Sequence, residues 1–185
     1  MLRTGLVLIT AFVVAPAVAQ PLEKPPREVR LDLDGDGRLD LARIVGTNKR
    51  DIDLHIYFGI GDATPDAARK ADFIKTEIAG NVLVGLEVRR GRSLVVTDSC
   101  GGCTQSADTK LTIVHRGGKL IVAGLEIDWE FRDESGRCNI NFLTGRGEIS
   151  KPLNGRPRAI RKKLKSVPLE KWNYYDGRDY CFPTR

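Results

Sequence analysis

Catalytic signatures are scarce in this sequence. It has only two histidines, His55 and His115, and neither lies beside a G-x-S-x-G nucleophile elbow. A glycine-rich phosphate-binding loop is also missing. Pairs of carboxylates such as Glu126 and Asp128 could carry out acid–base chemistry, but the same spacing is typical of a solvated strand face. Because no complete catalytic constellation occurs, the sequence favours a protein that is not an enzyme.

Long hydrophobic runs are equally scarce. The longest, Gly5 to Val14, spans 10 residues and is broken by a threonine, whereas a helix that crosses a bilayer needs about 20. We therefore expect no membrane span. Arg3 precedes this run and an A-x-A motif follows it at residues 17–19. This is the pattern of a cleavable signal peptide over residues 1–19, with a mature chain that begins near Gln20.

A signal peptide predicts an exported protein, located in the periplasm or secreted. Residues 20–28 are polar and rich in proline, and we interpret them as a flexible N-terminal tether. Residues 29–185 are then long enough to form a single domain with its own hydrophobic core.

Glycine turns separate short apolar segments along this domain. Val82 to Val88 and Ser93 to Thr97 flank one turn, and Gly117-Gly118 is a stronger hairpin signal between two further segments. Further segments that resemble strands are residues 41–45, 52–58, 138–143, 148–151 and 159–167. Only residues 62–75 suggest a short helix or a long loop. We therefore predict a mainly β fold, namely an antiparallel sheet, a sandwich or a small barrel with short turns and little helix.

The sharpest motif is an aspartate loop, DLDGDGRLD. Aspartates occupy loop positions 1, 3, 5 and 9, and Gly37 at position 6 allows a sharp turn. Calcium prefers six to eight hard oxygen ligands. The sequence therefore predicts one structural Ca²⁺ site, whose ligands would be Asp32, Asp34, Asp36, the carbonyl of Arg38, and Asp40.

The flanks of this loop distinguish it from an EF-hand. An EF-hand needs a bidentate glutamate at position 12, which here is Arg43, and both flanking segments are predicted strands. Over residues 29–48 the chain resembles the calcium loop of FG-GAP or VCBS-type repeats, which are blade motifs of integrin-like propellers. That resemblance implies calcium held between strands, in exported proteins that bind other macromolecules. One copy is too few for a propeller, so the resemblance extends to the loop alone.

Four cysteines in an exported chain predict two disulfides. Of the three possible connectivities we favour Cys100–Cys103 with Cys138–Cys181, because the intervening glycine pair lets the first two cysteines close a tight ring. A thioredoxin-like redox site would instead need a helix directly after Cys103.

One stretch concentrates basic residues. The chain has 30 lysines and arginines against 24 acidic residues, a mild excess that does not indicate nucleic acid binding. Charges are interleaved except at residues 156–165, which contain Arg156, Arg158, Arg161, Lys162, Lys163 and Lys165. This basic run predicts either contact with an anionic surface or an edge strand that charge protects against self-pairing. The aromatic segment 172–182 could likewise line a ligand surface or cover an open end of the sheet.

These features lead to one functional hypothesis and two alternatives. The first is a non-enzymatic, periplasmic calcium-binding β module with a structural role or with a protein or cell-envelope polymer as its partner. The second is a periplasmic inhibitor or immunity-type protein, and the third is a thiol–disulfide enzyme that uses Cys100 and Cys103.

Overall fold

The computed structural model describes residues 24–46, 52–66, 68–81, 83–100, 103, 106–174 and 176–182. The predicted signal peptide and the first residues of the predicted tether lie outside the described residues. No helix within the described ranges is long and apolar enough to cross a membrane.

The described residues form twelve strands, a 3-10 turn at Leu169–Lys171 and one short helix. The strands and the helix are β1 (Glu28–Leu31), β2 (Asp40–Val45), β3 (Asp53–Tyr57), β4 (Phe73–Lys75), β5 (Leu83–Arg89), β6 (Ser93–Ser99), β7 (Ser106–Arg116), β8 (Lys119–Phe131), β9 (Glu134–Asn141), β10 (Arg146–Ser150), β11 (Arg158–Ala159), β12 (Val167–Pro168) and α1 (Asp176–Cys181).

These strands make two antiparallel sheets. The smaller sheet has the order β1-β2-β3-β4, and the larger has the order β11-β10-β9-β8-β7-β6-β5, with β12 beside β8. The prediction of a mainly β fold with little helix is confirmed, and among the described residues the strands form two sheets and not a closed barrel. Both glycine hairpins are present, as β5–β6 and β7–β8.

The N-terminal segment connects the two sheets. The carbonyl of Arg27 accepts a hydrogen bond from the Ile44 amide at 2.8 Å, and the carbonyl of Pro26 accepts one from the Leu86 amide at 2.7 Å. A side chain at Gly85 would overlap Pro25, so glycine permits this close approach. Residues 25–28 of the predicted tether are therefore held against the domain, which their polar, proline-rich composition did not indicate.

The hydrophobic core is shared by both sheets. On β8 the buried positions include Leu125, Ile127 and Trp129, which alternate with more exposed residues as a half-buried strand requires. The pairing of β7 with β8 shifts register between Thr112 and Ile113, which face Gly124 and Val122. This shift changes the phase of the alternation along β8. The Trp129 ring lies over Gly136 of β9, where an added Cβ would overlap it.

Two segments differ from their predictions. Of the two alternatives predicted for residues 62–75, the described part up to Asp72 is loop and contains no helix, but Phe73–Lys75 pairs with β3 as strand β4. The strand predicted over residues 159–167 is wrong for most of its length, since only Ala159 and Val167 within it belong to strands. Its consecutive cations favour solvent and interrupt the alternation that a half-buried strand needs.

Candidate metal centre

The aspartate loop closes the β1–β2 hairpin. Leu31 and Asp40 form the last pair of that ladder, so residues 32–39 connect two adjacent antiparallel strands. Leu33 is buried and anchors the loop to the core. Gly35 and Gly37 have φ angles of 85° and 88°, which L side chains adopt only with strain. The strand–loop–strand arrangement expected from the sequence is present.

Three of the predicted ligands converge. Asp32, Asp34 and Asp40 each offer a carboxylate oxygen, and these three oxygens all lie within 4.8 Å of one another. Calcium binds oxygen at about 2.3–2.6 Å, so two of its ligands lie at most about 5 Å apart. The spacing and the hard oxygen chemistry of this group, which we call the carboxylate triad, therefore fit a calcium ion.

Asp40 has a structural function besides its place in the triad. Its side chain is fully buried, with one carboxylate oxygen accepting the amide of Leu33 at 2.8 Å and that of Asp34 at 3.3 Å. The other oxygen accepts the amide of Gly59 at 2.7 Å. Asp40 therefore holds the start of the loop against the turn that follows β3.

Asp36, also predicted as a ligand, lies outside the triad. Its carboxylate accepts the backbone amide of Arg38 at 2.7 Å and pairs with the Arg38 side chain at 3.2 Å. The hydrogen bond from the Arg38 backbone, joined by the guanidinium, lowers the pKa of this exposed carboxyl. In this conformation the Asp36 carboxylate satisfies the Arg38 backbone amide within the loop.

Arg92 reaches the loop from the other sheet. It lies in the β5–β6 turn, and its guanidinium is 3.3 Å from the Asp32 carboxylate. Sequence reasoning missed this residue, because nothing local to Arg92 or to the loop indicates that the two meet in the fold.

The cysteines pair as the sequence favoured. Cys100 and Cys103 form a disulfide with their Cα atoms 5.7 Å apart, and Cys138 and Cys181 form another at 5.6 Å. The second bridge is buried and ties α1 to β9. Strand β7 begins at Ser106, so the described residues after Cys103 do not form the helix that a thioredoxin-like site requires.

A cavity of about 310 Å³ lies between the larger sheet and the C-terminal segment, and Trp172, Tyr174 and Phe182 contribute to its lining. Asp98 also lines it and is buried, accepting the amides of Gly80 at 3.2 Å and Asn81 at 3.0 Å. Burial raises the pKa of the Asp98 carboxyl, against the opposing effect of these donors and of the Tyr174 side chain. No local sequence pattern indicated Asp98, since its burial depends on residues distant in the chain.

The remaining acid–base candidates are engaged elsewhere. Glu126 pairs with Arg89 at 2.7 Å, and Asp128 pairs with Arg137 at 2.6 Å, both on exposed faces. His55 and His115 lie in β3 and β7, on different sheets. In these contacts neither Glu126 nor Asp128 pairs with a histidine. The contacts therefore do not form a nucleophile–base arrangement.

Comparison of the chain with family models, with curated proteins and with solved structures finds no match. The resemblance to FG-GAP or VCBS-type loops therefore depends on the loop residues themselves.

Proposed function

We propose that this protein is an exported, non-enzymatic β module in which one calcium ion stabilises the fold for a structural or macromolecule-binding role. The observation that carries the proposal is the convergence of the Asp32, Asp34 and Asp40 carboxylates at the end of the β1–β2 hairpin. Calcium would supply positive charge at the point where the chain concentrates acidic oxygens.

Electrostatics gives this ion a stabilising role. Two unit charges on oxygens that lie within 4.8 Å of each other repel by at least about 3 kcal/mol at an effective dielectric constant of about 20. Arg92 offsets only part of this repulsion, because its side chain is largely exposed and pairs with Asp32 alone in the triad. A divalent cation between the three carboxylates would remove the repulsion and fix the loop.

Export supports the proposal through calcium supply. Extracellular calcium-binding modules have dissociation constants of about 10⁻⁴–10⁻³ M for calcium. Binding only to the folded state stabilises it by RT ln(1 + [L]/Kd), which is about 1.4 kcal/mol at ten times Kd. For a domain of this size that corresponds to a rise of about 3–6 °C in melting temperature.

Thermal unfolding tests the proposal. The mature protein is melted in EDTA, in calcium and in magnesium, and calcium is expected to raise the melting temperature by several degrees. Magnesium should have a much smaller effect, because it requires octahedral geometry at shorter distances. Asp34→Asn should abolish the calcium effect, whereas Asp133→Asn, which changes an exposed carboxylate in the β8–β9 turn, should preserve it. Equal melting temperatures in EDTA and in calcium would overturn the proposal.

A further inference from the structure

We propose that the basic run at residues 156–165 binds an acidic polysaccharide along the edge of the larger sheet. The inference extends the macromolecule-binding role proposed above and rests on it for the exported location. The aspartate loop takes no part in it, so the two proposals can fail separately.

The whole net charge of the chain resides in this run. The chain has 30 basic and 24 acidic residues, and the run contains six basic residues and no acidic one. Basic and acidic residues are therefore equal in number over the rest of the chain. Such a separation produces a local positive field that attracts a polyanion, which an evenly mixed surface would not do.

The fold holds these cations outward. The Ile160 amide donates to the Gly147 carbonyl at 2.8 Å, and Arg158 and Ala159 pair with β10. Further along, Leu164 is buried, and with Ile160 it packs over Gly147, where a Cβ would meet both side chains at about 3 Å. All six cations are exposed. The run is thus fixed to the sheet by its apolar residues, and its charges are presented to solvent.

Among the described residues no carboxylate pairs with the cations of the run, a property that they share with other exposed cations such as Arg116 and Lys119. Within the described residues, the arginines and lysines that form ion pairs with a carboxylate are Arg38, Arg43, Arg69, Arg89, Arg92, Arg137 and Lys151. None of the six in the run does so. Lys162 instead lies 4.7 Å from the Tyr180 ring centre and near the Asp179 carbonyl. An anionic ligand would not have to displace a carboxylate to reach them.

Protection of the sheet edge does not explain this charge. β11 is the edge strand, but it has only two residues, of which Arg158 is the one cation. The other five cations lie outside the paired strand. At the edge of the smaller sheet, β4 carries a single cation, Lys75, and leaves Ile74 about half exposed. A short edge strand in this fold is therefore not accompanied by a charge cluster of this size.

The surface beside the run favours a polysaccharide over other polyanions. A groove of about 480 Å³ borders β10 and β11, and Asn139, Asn141, Arg146 and Glu148 contribute to its lining. Asparagine and glutamate side chains can hydrogen-bond to sugar hydroxyls. Arg146 can bind a carboxylate through two parallel hydrogen bonds. Membrane-surface binding would instead favour an extended apolar face beside the cations, whereas this groove combines the apolar residues Pro157, Ala159 and Ile160 with two asparagines and two charged side chains.

The test measures binding of the mature protein in EDTA by calorimetry. The ligands are polygalacturonate, neutral dextran, poly-L-glutamate and vesicles of phosphatidylglycerol. We expect polygalacturonate to bind, with an affinity that falls as salt rises, and dextran not to bind. Asn139→Ala should weaken polygalacturonate binding several-fold, because Asn139 lines the groove and its amide can hydrogen-bond to sugar hydroxyls. Equal affinity for poly-L-glutamate, binding to vesicles alone, or no binding to any ligand would overturn the proposal.

Matched charge variants locate the site. Arg161→Gln, Lys162→Gln and Lys163→Gln together should lower polygalacturonate affinity at least tenfold, and all three residues are exposed and outside strands. The control combines Arg116→Gln, Lys119→Gln and Arg132→Gln, which remove the same charge from exposed positions elsewhere. It should change affinity less than twofold. An equal loss in the control would show that net charge alone drives binding and would contradict the assignment.

Discussion

Arg92 and Asp32 form an ion pair at 3.3 Å although 60 residues separate them in the chain. Arg92 lies at the turn of the β5–β6 hairpin in the larger sheet, and Asp32 begins the aspartate loop of the smaller sheet. The guanidinium also packs over Gly35, where a Cβ would meet it at 3.2 Å. A cation from one sheet thus partly neutralises the loop of the other, at the position proposed for calcium.

Replacing Arg92 should therefore strengthen calcium binding. Arg92→Gln removes a positive charge that competes for Asp32, and exposed pairs of this kind contribute about 0.2–1 kcal/mol. We expect calcium affinity to rise by a factor of about 1.4 to 5 at low salt, with a smaller gain at high salt. Calorimetric titration of the variant measures this. Arg90→Gln, an exposed arginine in the same turn, should change affinity less, and weaker calcium binding by Arg92→Gln would contradict the competition.

Asp40 should matter even without calcium. Asp40→Ala leaves the buried amide of Leu33 and the partly buried amides of Asp34 and Gly59 without their acceptor. Each buried unsatisfied group costs about 1–3 kcal/mol, so we expect a loss of about 3 kcal/mol in the free energy of unfolding in EDTA.

Urea denaturation of Asp40→Ala measures that loss, and Asp34→Ala is the matched comparison. Among the described residues, the one hydrogen bond that the Asp34 carboxylate accepts comes from the Asp36 amide at 3.1 Å, in an exposed part of the loop. Its removal in EDTA should cost less than about 1 kcal/mol. Similar losses for the two variants would show that Asp40 has no structural role beyond the triad.

The sequence could predict the features that depend on local patterns, but not those that depend on contacts between distant strands. The aspartate spacing and Gly37 are local signals, so the loop and its flanking strands were predictable from residues 29–48. The glycine pair at residues 117–118 similarly indicated the β7–β8 hairpin. The contact of Arg92 with Asp32 and the burial of Asp98 depend on the packing of distant strands, which no local pattern encodes. The pairing of Asp36 with Arg38, which keeps it out of the triad, was likewise not indicated by the aspartate spacing.

Asp98 should give stability a distinct pH dependence. Burial raises its pKa in the folded protein above the ordinary value, so the folded state keeps this proton to higher pH than the unfolded chain. Between the two pKa values the folded state binds more protons, and the free energy of unfolding falls as pH rises. Above the folded-state pKa the contribution of Asp98 no longer changes.

Comparison with Asp98→Asn isolates this contribution. Urea unfolding of both proteins from pH 4 to pH 7 should show the wild type losing stability relative to the variant as pH increases. Other carboxylates titrate in both proteins and cancel in the difference. A wild type that gains stability relative to Asp98→Asn over this range would contradict the raised pKa.

The two disulfides should contribute unequally to stability. Cys138 and Cys181 are separated by 43 residues, and Cys100 and Cys103 by 3. On the chain-entropy estimate, the long bridge stabilises by about 4 kcal/mol and the short one by about 2 kcal/mol. Paired Cys→Ser replacement, followed by urea denaturation, should therefore cost more for Cys138–Cys181. An equal or larger loss on removing Cys100–Cys103 would contradict this order.

Calcium titration by calorimetry tests the proposed metal site most directly. The mature wild-type protein should bind one calcium ion per chain with a dissociation constant of about 10⁻⁴–10⁻³ M. Asp34→Asn should remove this binding, because it takes one carboxylate from the triad, and Asp133→Asn should retain it. Absence of calcium uptake by the folded wild type at millimolar concentration, or undiminished uptake by Asp34→Asn, would contradict a calcium site at the aspartate loop.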